Sequence, residues 1–379
     1  MAPKNAAERV LEERKSVAPL GLLVHRSAKE LGNRINEYLM AWERTSESFI
    51  MESDCPRFQT GDGKGIIKQT VRGDDLFILV DVGNYNCKYK IFGQENSMSP
   101  DDHYQDLKRL IQAAGGKAHR INVIMPILYG GRQHRRNYRE SLDCAVALQE
   151  LQNLGVTNIV AFDAHDPRVH NAIPITGFDN VMPSYQMLKA LLRNVPDISL
   201  SKKKLMVVSP DEGAMNRNIY YASILGVDLG VFYKRRDYSK VVDGRNPIVA
   251  HKYLGRNVAG KDILITDDII SSGESMLDIA YELKKRDARR IYASATYAVF
   301  TNGLAQFDKA YEEGVIHGVL GTNLTYISEE IKTREWFYKV DVAKYIAYIV
   351  ASMNRDVSIS LLLDPTEKIK ELLERQKRQ

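Results

Sequence analysis

Cysteine is scarce in this 379-residue chain: only Cys55, Cys87 and Cys144, with no CxxC pair. That spacing excludes a disulfide framework and a cysteine-based zinc site, and it fits a reducing compartment, so the cytoplasm is the expected location. A charge-free apolar run of about 18 residues is also missing, and the opening MAPKNAAERVLEERKS has no apolar signal core, so neither a membrane span nor a secretion signal is expected. Excess charge of one sign is small: 53 Lys and Arg against 48 Asp and Glu leave a formal +5. The basic groups are dispersed and interrupted by acidic clusters, which argues against a nucleic-acid binder and leaves phosphorylated small molecules as partners. No exact internal repeat is present, and GDGKG at 61–65 lacks the GxxxxGK[ST] of a phosphate-binding Walker loop.

What is present is a globular composition, 44% hydrophobic and 27% charged, over a length that predicts two domains. Short apolar runs alternate with helical periods. Strands are expected at the start of 21–39, at 75–81, 120–129 and 157–166, at the start of 202–213, and at 227–236, 262–268 and 291–300. Helices are expected between them, for example YQDLKRLIQAAGG (104–116), CAVALQELQNLG (144–155) and SMLDIAYELKKRDA (275–288). Residues 82–104 read as turns. This order predicts βαβ units and an α/β fold built on mostly parallel sheets. The expected partition is a charged N-terminal extension (1–17), an N-terminal domain (18–185), a C-terminal domain (186–345), and a C-terminal segment with a charged helical tail (346–379).

Open parallel sheets bind ligands beyond the carboxyl ends of their strands. Three expected strands end in polar groups: FDAHD (162–166), VVSPDEG (207–213) and LITDDIISSGES (264–275). Asp267 and Asp268 are read as a strand end; their carboxylates can accept hydrogen bonds from sugar hydroxyls, ligate a hard cation, or simply cap the strand. Ser271, Ser272, Gly273, Glu274 and Ser275 then lead into a helix. Successive N–H groups and serine hydroxyls there form an anion nest, or alternatively a simple helix cap. Together the run reads as a diol acceptor beside a phosphate cradle, the pattern of a ribose 5-phosphate site, with the charge of Glu274 required to point away. Arg132, Gln133, His134, Arg135 and Arg136 follow one strand, and Lys234, Arg235 and Arg236 end another; both clusters offer anion contacts or a solvated surface. His165 and Asp211 are available to a cation or its bound water.

These blocks, with RFQTGD (57–62), VRGDDLFILVD (71–81), GGRQHRR (130–136), YKRR (233–236) and GTNLTY (321–326), resemble the ribose-phosphate pyrophosphokinase family in order and placement across most of residues 18–360. The resemblance implies two tandem phosphoribosyltransferase-type α/β domains, each with a mostly parallel central sheet, and a homo-oligomer, dimeric or hexameric. It implies transfer of the diphosphoryl group of Mg-ATP to ribose 5-phosphate. It places Phe58, Thr60, Asp62, Arg132, Gln133 and His165 on the ATP side, with Phe58 stacking on adenine from a neighbouring subunit. It places Asp211, Asp267, Asp268 and Ser271–Ser275 at ribose 5-phosphate, His165 and Asp211 at Mg2+, and Lys234 and Arg236 on a mobile loop over the transferring group. The chain departs from the family pattern at Thr60, His134 (in place of Asp), Asp166 (in place of Ala), Ser271 (in place of an acid) and Glu274, and it carries added sequence at 82–103 and 236–260. A phosphoribosyltransferase, or a non-catalytic regulatory relative, stands as the rival reading.

Overall fold

The structure, a computed structural model, describes residues 14–236 and 248–378, so most of the expected 1–17 extension lies outside the described residues. The early elements are β1 (Leu20–Val24), α1 (Lys29–Glu43), β2 (Ser53–Asp54), β3 (Ile66–Ile67), β4 (Asp75–Leu79), β5 (Lys88–Ile91), β6 (Gln94–Ser97), α2 (Pro100–Ala114), β7 (Arg120–Ile124), α3 (Asp143–Asn153), β8 (Asn158–Phe162) and β9 (Gly177–Val181). They are followed by α4 (Ser184–Asn194), β10 (Leu205–Ser209), α5 (Met215–Leu225), β11 (Asp228–Arg236), β12 (Ile248–Leu254), β13 (Asp262–Ile270), α6 (Glu274–Lys285), β14 (Arg290–Ala298), α7 (Ala305–Glu312), β15 (Gly318–Thr322), α8 (Glu329–Lys332) and β16 (Phe337–Val340). The chain ends in α9 (Ala343–Met353), α10 (Ser360–Leu363) and α11 (Thr366–Arg378).

Two compact units result. In the first, β1, β4, β7, β8 and β9 form a parallel sheet in that order, each strand added on the same side of the last. Alternate residues face opposite ways: Leu76 and Ile78 join the core under α2 and α3. The other face carries α1 and α9, where Trp42 stacks on Tyr348 at 4.4 Å and Tyr345 meets Phe162 edge-on. Where only turns are expected, 82–103 holds the β5–β6 hairpin, and α2 starts early at Pro100 because Ser99 and Asp102 close a capping box.

The second unit has the order β12-β11-β10-β13-β14-β15-β16, parallel except for the β11–β12 pair. Both faces are covered. Met206, Val208, Ile263 and Ile265 face α6 and α7, while Leu205, Val207 and Leu264 face α4, α5 and α11. Burial on both sides explains the near-continuous apolar runs. The chain lays β11 on one side of β10 and then β13 on the other, so the winding direction reverses between β10 and β13. Such a reversal opens a crevice at the strand ends.

The partition differs from the expected one late in the chain. The first unit ends at Pro183 and also takes Asn323–Tyr326 and Asp341–Asp364. Its return segment is held there by chemistry: Asn354 donates to buried Asp75 (3.0 Å) and to Ala18 O (3.1 Å), while Arg120 bridges Asp75 (2.6 Å) and Asp356 (2.7 Å). Nor is 346–379 one separate tail. Its last helix, α11, packs in the second unit through fully buried Ile369, and Leu200 N donates to Gln376 there at 3.2 Å. Among the described residues no helix is long and apolar enough to cross a membrane.

Candidate functional site

The residues expected at a sugar phosphate gather at the β10–β13 reversal. The ladder between these strands stops at Val208↔Ile265, whereas β13 stays paired with β14 as far as Ile270↔Ala298. Asp267 and Asp268 therefore do not end the strand, as the sequence reading has it. They lie inside β13, on a stretch that outruns β10 because its pairing on the other side continues. Over that overhang sit the loop after β10, with Asp211, and the first turns of α5.

Asn218, fully buried on α5, fixes this corner. It donates to Ser209 Oγ (3.2 Å), Ala214 O (2.8 Å) and Thr266 O (2.9 Å), and it accepts from Thr266 Oγ1 (2.7 Å). Ala214 N donates to Asp211 Oδ1 at 3.0 Å, which aims the Asp211 loop. Beside Asn218, Arg217 Nη1 reaches Asp267 Oδ1 at 3.5 Å. Burial first, then the charge of Asp268, pushes the Asp267 carboxyl well above the usual carboxylate range; Arg217 pulls it down and Asp211 pushes it up. Asp211, Asp267 and Asp268 thus interact electrostatically at this corner, and their oxygens are donors of the class a divalent cation such as Mg2+ takes. Neither Arg217 nor Asn218 emerges from the sequence reading. A helix at 215–226 is expected from the sequence, but that its first turns lie against Thr266 and Asp267 is a tertiary fact the sequence does not record.

After β13 the backbone turns through Ser271, Ser272 and Gly273. Gly273 has φ +83, and a Cβ there would lie 2.3 Å from Phe307 Cε2. Glu274 N meets Ser272 Oγ at 3.4 Å, and the exposed Glu274 carboxylate accepts from Asn302 Nδ2 at 3.1 Å. Ser275 is the second residue of α6, in the first turn, where N–H groups have no carbonyl partner within the helix.

On the first unit, Gln133 is held by N–H to Gly130 O (2.7 Å) and by Nε2 to Ser141 O (2.9 Å), leaving Arg132 exposed beside it. His165, after β8, is exposed. Its ring lies 5.4 Å from that of His134, which in turn approaches Asp166 at 3.5 Å. Burial lowers the His134 pKa against the pull of Asp166. Arg168, bonded at 2.6 Å, holds Asp166 down at about 2. Phe58, Thr60 and Asp62 share a separate tight turn: Phe58 N donates to Asp62 O (2.7 Å), Thr60 Oγ1 donates to Asp62 Oδ2 (2.8 Å), and the Phe58 ring is 55% exposed. The backbone of Lys234 and Arg236 belongs to β11, paired with β12 at Lys234↔His251 and Arg236↔Ile248, rather than to a free loop; their side chains lie outside what the structure describes.

Comparison with known proteins agrees with this division. The family model described as the N-terminal domain of ribose phosphate pyrophosphokinase matches residues 20–155, and the phosphoribosyl transferase domain model matches 178–311. The ribose-phosphate pyrophosphokinase of Vibrio cholerae serotype O1 is 27% identical over 340 residues, covering 88% of this chain and 98% of that protein. The Pasteurella multocida protein of the same name is 26% identical over 345 residues, covering 90% and 98%. The crystal structure of phosphoribosylpyrophosphate synthetase from Mycobacterium smegmatis superposes with a TM-score of 0.72 at 22% identity, covering 89% of this chain and 99% of that one, and so shares the fold. With both domain models matched in tandem and the relatives aligned over nearly their full lengths, the chain belongs to the ribose-phosphate pyrophosphokinase family.

Proposed function

We propose that the protein is a ribose-phosphate diphosphokinase. It transfers the diphosphoryl group of Mg-ATP to O1 of ribose 5-phosphate, giving 5-phosphoribosyl 1-diphosphate and AMP. The observation that carries this reading is the overhang of β13. One continuous run, 266–275, presents carboxylates, then hydroxyls, then a helix start at the sheet's reversal point.

In this reading the ring hydroxyls of ribose donate to Asp267 and Asp268, and Asp211 flanks them. Ser271, Ser272, Ser275 and the N–H groups around Gly273 receive the 5-phosphate. Phe58, Thr60, Asp62, Arg132, Gln133 and His165 are the nucleotide-side groups. His165 on the first unit and Asp211 on the second are the candidate Mg2+ ligands, and the ion when bound would offset phosphate charge. O1 attacks the β-phosphorus in line, a new P–O bond forms, and the bond from that phosphorus to the α-phosphate bridging oxygen breaks, releasing AMP. Such chemistry depends on positioning and charge neutralisation more than on covalent catalysis. Lys234 and Arg236 stabilise charge on the group in transfer. We take the active form to be a homo-oligomer in the cytoplasm; light scattering on the purified protein checks the former.

The test is to incubate the purified protein with ribose 5-phosphate and Mg-ATP. AMP and the diphosphorylated sugar appear one for one if the reading holds. ADP would mean ordinary monophosphoryl transfer. No turnover, with retained ribose 5-phosphate binding, would favour the regulatory relative, to which the departures at His134, Ser271 and Glu274 point.

A further inference from the structure

We propose that the β5–β6 hairpin is a positioning element for the turn of Phe58, and that Ile91 and Tyr89 thereby set nucleotide affinity. The inference rests on the reading of that turn as nucleotide-binding. The hairpin lies in the added sequence at 82–103. Its base is closed by Met98 N donating to Cys87 O at 2.7 Å, and its outer face carries a Lys88–Glu95 pair at 2.7 Å. Along β5, Lys88 and Lys90 are exposed while Tyr89 and Ile91 face inward.

The inward residues meet the turn on both sides of Phe58. Before it, the Arg57 guanidinium lies 5.4 Å from the centre of the Tyr89 ring, and its far side is bonded to Asp106 (2.7 Å) and Cys55 O (3.2 Å). Just after it, Phe92 N donates to Gln59 O at 2.9 Å. Further on, Ile91 closes over Gly61, where φ is +97 and a Cβ would lie 2.6 Å from Ile91 Cδ1. One element thus touches the turn at three places: the side chain of Arg57, the backbone of Gln59, and Gly61 under the Ile91 side chain.

Phe58 itself has little to hold it. It is 55% exposed, with Lys64 at 5.7 Å above its ring. An exposed ring takes its direction from its backbone, so the hairpin fixes where the ring points before any ligand arrives. Preorganisation of this kind raises affinity by reducing the ordering cost of binding. The contacts involve no group assigned to the sugar phosphate, so the effect is confined to the nucleotide.

The experiment uses the full-length protein in four forms: Ile91→Ala, Ile91→Val, replacement of 88–97 by a short Gly-Ser bridge, and Phe58→Ala as the reference for losing the ring. Steady-state KM values for ATP and ribose 5-phosphate are measured with calorimetric ATP binding and thermal melts. Ile91→Ala and the bridge raise the ATP KM and Kd about tenfold, Ile91→Val restores most of the affinity, and the KM for ribose 5-phosphate stays put. An unchanged ATP KM in the bridged form overturns the proposal, as does a parallel rise in both KM values, which would mark general damage. Should Phe58→Ala leave nucleotide affinity unchanged while the wild type turns over, the reading of the turn itself fails, independently of the hairpin's contribution.

Discussion

Gly273→Ala tests the proposed sugar-phosphate cradle most directly. Two costs are built into that position. A non-glycine residue at φ +83 pays for left-handed backbone, about 1–2 kcal/mol. The added methyl also falls 2.3 Å from Phe307 Cε2 and 2.5 Å from Cζ. Phe307 cannot swing aside: it is fully buried, stacked on Trp336 at 5.5 Å and edge-on to Phe300 at 4.8 Å. Overpacking of this kind costs about 1–3 kcal/mol, for a total of about 2–5 kcal/mol. Gly260→Ala is the matched control, since its φ is +71 but nothing lies within 4 Å of the new Cβ. It carries the backbone cost alone. Differential scanning calorimetry should show Gly273→Ala melting several degrees below Gly260→Ala, because about 1 kcal/mol moves the melting point of a domain this size by about 2–4 °C. Where the turn shifts to relieve the clash, the KM for ribose 5-phosphate rises while that for ATP holds. Equal melting points for the two variants, together with an unchanged KM for ribose 5-phosphate, would refute both the packing argument and the placement of the phosphate.

Three further outcomes follow from the electrostatics. Asp267→Asn should raise the KM for ribose 5-phosphate at least about tenfold yet leave the melting point equal or higher, because burial and Asp268 already disfavour its charge; a variant that melts early but works normally would contradict this. At Asp106, burial pushes the pKa up, but hydrogen bonds from His25, Arg57 and Arg109 outweigh it and hold the carboxyl at about 2. The folded value lies below the unfolded one of about 3.9, so its contribution of about 2–3 kcal/mol is complete above that pH and lost as the pH falls toward 2. Urea unfolding should show Asp106→Asn destabilised at pH 6 by about 3–5 kcal/mol, as expected when a buried arginine loses its partner, with the gap to wild type narrowing in acid; a constant gap refutes the assignment. Lys234→Ala should cut turnover at least about 10²-fold with little change in substrate binding, and a normal kcat would remove it from the transfer step.

The parallel sheets are readable from sequence because each central strand is buried on two faces, and an unbroken apolar run such as LMVVS or DLFIL records that directly. Strands covered less well leave no such record. GFDNV in β9 is mostly half-exposed, so it does not stand out. The site shows the same division. The carboxylate and serine run is local and can be found by eye. That Asp267 and Asp268 lie within the strand is not local, since it depends on how far β14 extends beside β13 and how soon β10 stops. Arg217 and Asn218 become site residues only because α5 folds back over the overhang. The late return of 341–364 to the first unit is likewise invisible in composition, resting on pairings such as Asn354 with Asp75, 279 positions away.

The departures in the phosphate loop gain a physical meaning from its surroundings. Relative to the family pattern, an acid is missing at Ser271 and another is present at Glu274. In the fold these are not equivalent places. Ser271 belongs to the turn, where its carbonyl accepts from Thr301 N at 2.9 Å, whereas Glu274 is the first residue of α6. A carboxylate in a first turn interacts favourably with the positive end of the helix. This one is also drawn outward, with Asn302 donating to it at 3.1 Å. Residues 301 and 302, just past β14, therefore brace the loop at both ends, one through main chain and the other through side chain. The exchange leaves the loop's formal charge as it was while moving the acid from the turn to the helix and tying it to Asn302. The turn itself keeps hydroxyls at 271 and 272 and the one glycine that Phe307 requires. Negative charge next to the proposed phosphate cradle would weaken it, and on that proposal the Asn302 contact serves to hold the Glu274 carboxylate away from the turn.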